Sequence, residues 1–238
     1  MIFSQVLAEA AMMAGYPLSA GQLDQFSRYY ELLIAWNEKM NLTAITEPRE
    51  VALKHMIDSL SAYDPDVFSG SPTAIDVGSG AGFPGLPLKI LLPDLPLTLM
   101  DSLNKRLVFL KEVIDQLGLR GVNIVHARAE DAGRTRQHRS QYQIALSRAV
   151  ARLNVLSELC LPFVSRGGWF IAMKGAQYLE EIQEAAPALK ILGGDVRRVT
   201  TVNLPGLEDK RAVIFVQKIQ STPQAYPRKP GLPEKKPL

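Results

Sequence analysis

The segment IDVGSGAGFPGLPLKILLP, residues 75–93, places four glycines within eight positions, directly after a short apolar run. Ala74 to Val77 reads as a strand, broken only by Asp76. Gly78, Gly80 and Gly82 then alternate, which suits a tight turn whose main chain is open to a ligand. A helix follows: Pro84 and Pro87 are tolerated only in its first turn, where no amide donor is needed, and Pro93 stops it. Free amides at such a helix start favour anionic or polar groups, so the segment is expected to hold a nucleotide-like cofactor.

Two cofactor classes fit this loop. Gly80, Gly82 and Gly85 match G-x-G-x-x-G, the dinucleotide pattern, but there the strand should run straight into the first glycine of the triplet. Here the strand ends before Gly78, two residues early, and the spacing is Asp-x-Gly-x-Gly-x-Gly. That spacing resembles the cofactor loop of AdoMet-dependent methyltransferases. Asp101, after the next strand Leu97 to Met100, stands where the ribose of either cofactor would need a carboxylate acceptor. A structural turn without a ligand is the third reading.

The order of elements narrows the choice. The first sixty residues read as helical: Ser19 and Gln22 form a capping-box pattern ahead of a helical stripe at Leu23, Phe26, Tyr30, Leu33 and Ile34. MNLTAIT (40–46) breaks the pattern, and a helix resumes at Pro48. From Ala74 strands at 74–77, 97–100, 122–125, 144–147 and 168–173 alternate with helices, which predicts a parallel sheet covered on both faces. RRVTTVNL and RAVIFVQK then form a pair joined by a turn around Pro205 and Gly206. A seven-stranded, mostly parallel sheet ended by an antiparallel hairpin is the α/β, Rossmann-like architecture of a class I AdoMet-dependent methyltransferase, and it favours AdoMet over a dinucleotide. The expected organisation is a helical extension over 1–70, the cofactor-binding domain over 71–219 and a basic, proline-rich tail over 220–238.

Charge and cysteine content add bounds. The net charge is +3, and four basic residues against Glu234 alone after Ile219 account for all of it. A tail of that kind can contact phosphates or serve merely as a solvated terminus. The single cysteine, Cys160, excludes an internal disulfide and a multi-cysteine metal site, and its apolar surroundings assign it to the core. No metal is expected. LPLKILLPDLPLTLM is apolar, but Lys89, Asp94 and its prolines disqualify it as a membrane span. A single cysteine and an N-terminus with no basic leader and no long apolar core lead to the expectation of a cytoplasmic protein, and the lack of a long exposed apolar stripe to that of a monomer.

In an open α/β sheet the ligand lies beyond the carboxyl ends of the strands. The residues there are Gly78 to Phe83, Asp101 to Leu103 with Ser102 between, His126 to Glu130, Ser147, Arg148 and Lys174. In the AdoMet reading the glycine loop, with Asp76 beside it, passes the amino-acid end, Asp101 accepts the ribose hydroxyls, and Ala129 and Glu130 sit by the adenine. Glu130 could equally begin a helix, and Asp101 could cap one. Absences bear on the acceptor. The position after the fourth strand holds LSRAVAR rather than the Asn/Asp-Pro-Pro-aromatic motif of exocyclic amine methylation, and Cys160 is misplaced for a pyrimidine-carbon mechanism. A ring nitrogen with its own lone pair, such as guanine N7, needs only positioning. Arg148 and Lys174 are the candidates to position it, by holding a phosphate or a base edge.

MNLTAI, KHMIDSL, IDVGSGAGFPGLPLKI, DSLNKR, RAE, SRAVARL, MKG and the terminal YPRKPGLPEKKPL together resemble the RsmG (GidB) family, from Asn41 to Leu238. These are bacterial methyltransferases that modify N7 of a guanine in 16S ribosomal RNA with AdoMet. The resemblance implies that Gly78, Phe83, Asp101, Ser102, Leu103, Ala129, Glu130 and Arg148 belong to the AdoMet site. It raises Asn41 and His55 to substrate-pocket candidates, and makes Arg228, Lys229, Lys235 and Lys236 candidates for contact with 16S rRNA or the small ribosomal subunit. A nucleotide-dependent oxidoreductase and a non-catalytic RNA-binding assembly factor are the alternatives, the first resting only on the shifted glycine pattern and Asp101.

Overall fold

A computed structural model describes residues 2–148 and 151–238; Ala149 and Val150, within the SRAVARL motif, lie outside the described residues. The chain opens with α1 (Phe3–Met13) and α2 (Ala20–Met40), followed by α3 (Pro48–Val51), a π-helical turn Ala52–Ile57 and α4 (Asp58–Leu60). The alternating part runs β1 (Ala74–Val77), α5 (Gly85–Leu91), β2 (Leu97–Asp101), α6 (Asn104–Gln116), β3 (Val122–His126), α7 (Ala129–Ala132) and β4 (Tyr142–Arg148). It continues through α8 (Leu153–Cys160), β5 (Val164–Lys174), α9 (Tyr178–Leu192), β6 (Gly194–Val202) and β7 (Arg211–Lys218), and a short α10 (Leu232–Lys235) lies near the C-terminus.

The strands form one seven-stranded sheet in the order β3-β2-β1-β4-β5-β7-β6. The pairs among β1 to β5 are parallel, whereas β7 lies antiparallel between β5 and β6. The hairpin therefore inserts its second strand, and β6 becomes the edge. The chain reverses its direction of travel across the sheet between β1 and β4, which is where ligands enter folds of this type.

The expected capping box is present: Ser19 Oγ accepts from the Gln22 amide at 3.3 Å, and Gln22 Oε1 accepts from the Ser19 amide at 2.9 Å. Gln22 Nε2 also donates to the Ile90 and Leu91 carbonyls at 2.9 and 3.2 Å, so the residue that starts α2 also closes the open end of α5. Apolar side chains of α1, α2 and the π-helical turn share a core with Leu99 of β2, Leu146 of β4 and Phe215 of β7. On the other sheet face Leu156, Leu189 and Phe163 pack against Ile75, Ala145 and Phe170. The early helices thus cover the face beneath the glycine loop, within reach of the site. Cys160 is fully buried, and burial pushes its thiol well above the usual range, in keeping with a core position.

The tail folds back over α8. Arg139 donates to the carbonyls of Thr222 (2.8 Å), Pro223 (3.1 Å) and Tyr226 (2.7 Å). Arg228 grips Glu158, whose side chain is 1% exposed, through Nε to Oε1 at 2.9 Å and Nη2 to Oε2 at 2.6 Å. No helix among the described residues is long and apolar enough to cross a membrane.

Candidate active site

The glycine loop is shaped from below as much as from the cleft. A side chain at Gly82 would bring its Cβ within 2.5 Å of Leu86 Cδ1 and 2.6 Å of the Tyr29 hydroxyl, and its φ of +97° disfavours any L side chain. At Gly85 a Cβ would stand 2.7 Å from Asp76 Oδ2 and 2.8 Å from Leu99. Packing against Leu86, Tyr29, Asp76 and Leu99, not a ligand, therefore excludes side chains at these two positions. Gly80 differs: its nearest neighbour on that side is the Gly78 carbonyl at 3.9 Å, and the loop there borders open space. The sequence reading opened Gly78, Gly80 and Gly82 to a ligand; Gly78 and Gly80 line the cleft with Ser79, Ala81 and Phe83, and Gly82 does not.

Asp76 and Asp101 hold this loop in place. Asp76 is fully buried, and Oδ2 accepts from the Gly85 amide at 2.8 Å while Oδ1 has no hydrogen-bond partner among the described residues. Burial pushes its pKa up to about 7. Asp101, 3% exposed, accepts from the Gly80 amide at 2.9 Å through Oδ2 and from the Leu103 amide at 2.9 Å through Oδ1. Arg106 Nη1 approaches the same Oδ2 at 3.3 Å. The carboxylate expected to face the ribose is thus already tied to the loop, and it does not cap α6.

Above the loop lies a cleft of about 490 Å³, within the range of cofactor pockets. Gly78, Ser79, Gly80 and Phe83 form one wall, Asp101 and Ser102 the next, and Ala129 and Glu130 the third. Leu103 is exposed at the start of α6, outside that lining, as is Gly82; Asp76 lies beneath the floor. Glu130 Oε1 accepts from the Gly231 amide at 3.0 Å, and Glu234 of α10 lines the cleft, so the tail closes its third side. This part of the site leaves no trace in local spacing, because Glu130 and Gly231 are a hundred residues apart in the chain.

One end of the cleft is built by the π-helical turn. His55 stacks on Phe83 (centroids 4.7 Å apart), Phe83 stacks on Tyr29 (5.4 Å), and the Arg148 guanidinium lies 4.8 Å from the Phe83 centroid. Tyr29 donates its hydroxyl to the Ala81 carbonyl, fixing the loop from α2. His55 Nε2 lies 2.8 Å from Thr43 Oγ1. Burial first, and the Arg148 charge second, lower its pKa to about 4, so the ring is neutral near pH 7. Arg148 donates to Asp58 Oδ2 at 3.0 Å and to the Lys54 carbonyl at 3.1 Å. Asp58, Tyr29 and Thr43 escaped the sequence reading. They sit far in sequence from the strand ends, though Asp58 lies within the quoted KHMIDSL and Thr43 within MNLTAI.

On the far side of Arg148 and His55, which line both, a second cavity of about 690 Å³ opens beyond β4, β5 and β7. Lys54, Arg152, Lys174, Lys210 and Arg211 make its walls basic. Asp58 Oδ1 reaches Arg211 at 3.4 Å, and Lys174 pairs with Glu181 Oε2 at 2.7 Å and also donates to the Ala151 carbonyl.

The remaining candidates separate. Asn41 ends α2 in a left-handed conformation (φ 50°) and lines neither cavity; the adjacent Leu42 and Thr43 line the first. Arg228 is committed to Glu158, so its guanidinium is not offered to an outside phosphate. Lys229, Lys235 and Lys236 are exposed on the tail near the cleft side closed by Glu234.

Residues 22–213 match the family model GidB, rRNA small subunit methyltransferase G. A protein of Halalkalibacterium halodurans named ribosomal RNA small subunit methyltransferase G is 53% identical over 94% of each chain. One of that name from Alkaliphilus metalliredigens is 51% identical over 98% of each. Among solved structures, TrmN from Thermus thermophilus shares the fold at a TM-score of 0.52 and 17% identity, covering 68% of this chain and 48% of that one. M. jannaschii TYW2, solved in complex with AdoMet, does so at 0.51 and 13%, covering 63% and 70%.

Proposed function

The chain belongs to the rRNA small subunit methyltransferase G (GidB) family, and from that premise we propose that it transfers a methyl group from AdoMet to N7 of one guanine in 16S ribosomal RNA. The observation that carries this reading is the meeting of a glycine-loop cleft and a basic cavity at Arg148 and His55. AdoMet would lie in the smaller cleft. The Gly78–Gly80 backbone and Phe83 would face its amino-acid end, Ser102 the ribose, and Ala129 and Glu130 the adenine. Gly80 opens on the cleft where a Cβ would otherwise stand.

Bound AdoMet would supply a methyl on cationic sulfur, which the guanine N7 lone pair could take without loss of a proton. No general base is needed, and His55 makes a poor one: its pKa is lowered to about 4, and its Nε2 is already engaged with Thr43. What these residues do is position and balance charge. Arg148 is compensated by Asp58, so it can hold a polar base edge without setting a net cation against the charge in transfer. The Phe83 face beside it favours positive charge. Lys54, Lys210 and Arg211 around the second cavity suit the phosphates flanking a base turned out of folded RNA. The exposed Lys229, Lys235 and Lys236 extend that contact surface.

The test is incubation of unmodified small ribosomal subunits with the chain and methyl-labelled AdoMet, followed by digestion to nucleosides. The reading predicts one methyl per particle, recovered as 7-methylguanosine. Label in any other nucleoside, or none despite measured AdoMet binding, overturns it.

A further inference from the structure

The second cavity contains three carboxylates, and they are not equivalent. Asp58 has both oxygens committed, to Arg148 and Arg211. Asp209 is exposed and tied to Arg211 at 3.2 Å. Glu181, on the first turn of α9, is different. Its Oε2 accepts from Lys174 Nζ at 2.7 Å and from the Leu153 amide at 2.8 Å, which fixes the side chain. Its Oε1 accepts no hydrogen bond among the described residues, and the side chain is only 13% exposed. A rigidly held carboxylate that offers an acceptor into a basic cavity is suited to a ligand edge made of donors.

Guanine presents such an edge. Its N1–H and 2-amino group are adjacent donors, flanked by the O6 acceptor, and N7 lies on the other side of O6. The other bases place an acceptor, or a single donor, at the corresponding positions. The protein has the same order of groups. Arg148 at the end of β4 borders the cofactor cleft, Lys174 lies at the end of the adjoining β5, and Glu181 is paired to Lys174. We propose that Glu181 is the specificity residue of the base pocket: it accepts the guanine N1–H and 2-amino group while Lys174 donates to O6, which turns N7 toward Arg148 and the cofactor cleft. This rests on the guanine-N7 reading above and adds a reader for the opposite base edge.

The experiment uses small subunits reconstituted from 16S RNA carrying either guanine or inosine at the methylated position; inosine keeps N7, O6 and N1–H and lacks only the 2-amino group. Wild-type chain should favour guanine roughly tenfold or more in kcat/KM, because a pocket built to pair a donor discriminates against its absence. In Glu181→Gln the amide oxygen can keep the Leu153 amide bond, and the NH2 then meets the base edge donor to donor. The guanine-to-inosine preference should fall to within about twofold. A merely structural role would slow both substrates equally; a preserved preference in Glu181→Gln, or none in wild type, overturns the proposal. Failure of wild type to methylate the guanine substrate would instead overturn the underlying N7 reading.

Discussion

Asp76, fully buried, and His55, partly buried, respond to pH in opposite directions. Asp76 titrates near 7 in the folded chain against an ordinary value of 3.8, so between those values the folded state keeps a proton that the unfolded state has lost. Its contribution to stability is complete below that window and is lost as pH rises through about 7. His55, lowered from 6.5 to about 4, gives the reverse: its contribution is present above 6.5 and is lost as pH falls toward 4. Asp76→Asn retains an oxygen for the Gly85 amide and removes the titration. Its stability relative to wild type should therefore climb from about pH 5 to about pH 8 in urea unfolding, and a difference that is flat with pH would contradict the assignment. The sequence made Asp76 and the glycines legible through spacing. It did not reveal that Asp101 serves the loop, or that Gly82 and Gly85 yield to Tyr29, Leu86 and Asp76, since those contacts come from packing across layers.

At the level of elements, the strands and the capping box were readable because each depends on local periodicity or a three-residue spacing. The tail was not. Its charge suggested an RNA arm, whereas its backbone is clasped by Arg139 and its Arg228 neutralises a buried glutamate of α8. A charge count cannot reveal a partner seventy residues earlier. Arg228→Ala would leave Glu158 buried and unpaired, at a cost of about 3–5 kcal/mol, measurable by urea unfolding. The same variant should expose the tail to trypsin at Lys235, which unlike Lys229 is not followed by proline, and weaken AdoMet binding, because Gly231 and Glu234 complete the third side of the cleft. Adding Glu158→Gln should restore much of the stability, since the uncompensated charge is the main cost. The π-helical turn was equally hidden: its residues read as ordinary helix, yet it delivers His55 to Phe83 and Lys54 to Arg148.

Across the whole molecule, helices from the first sixty residues and the last twenty close opposite sides of a site that the sheet opens at its strand ends. Tyr29, His55 and Asp58 come from one end of the chain, Gly231 and Glu234 from the other. The parallel sheet and its cofactor cleft were legible from the glycine loop and the alternation that follows it. The second cavity was not, because its lining is drawn from α3–α4, β5, β7 and α9 together. The central claim is that methyl donor and guanine approach from these two cavities and meet at Arg148. The most direct measurement is a cryo-electron microscopy reconstruction of the chain on an unmodified small subunit with a non-transferable AdoMet analogue. The account predicts the analogue against Gly78–Gly80, one guanine turned into the cavity lined by Lys174 and Glu181, and its N7 facing the analogue past Arg148. A guanine entering beside Ala129 and Glu130, or an analogue lodged between Lys174 and Arg211, would contradict it.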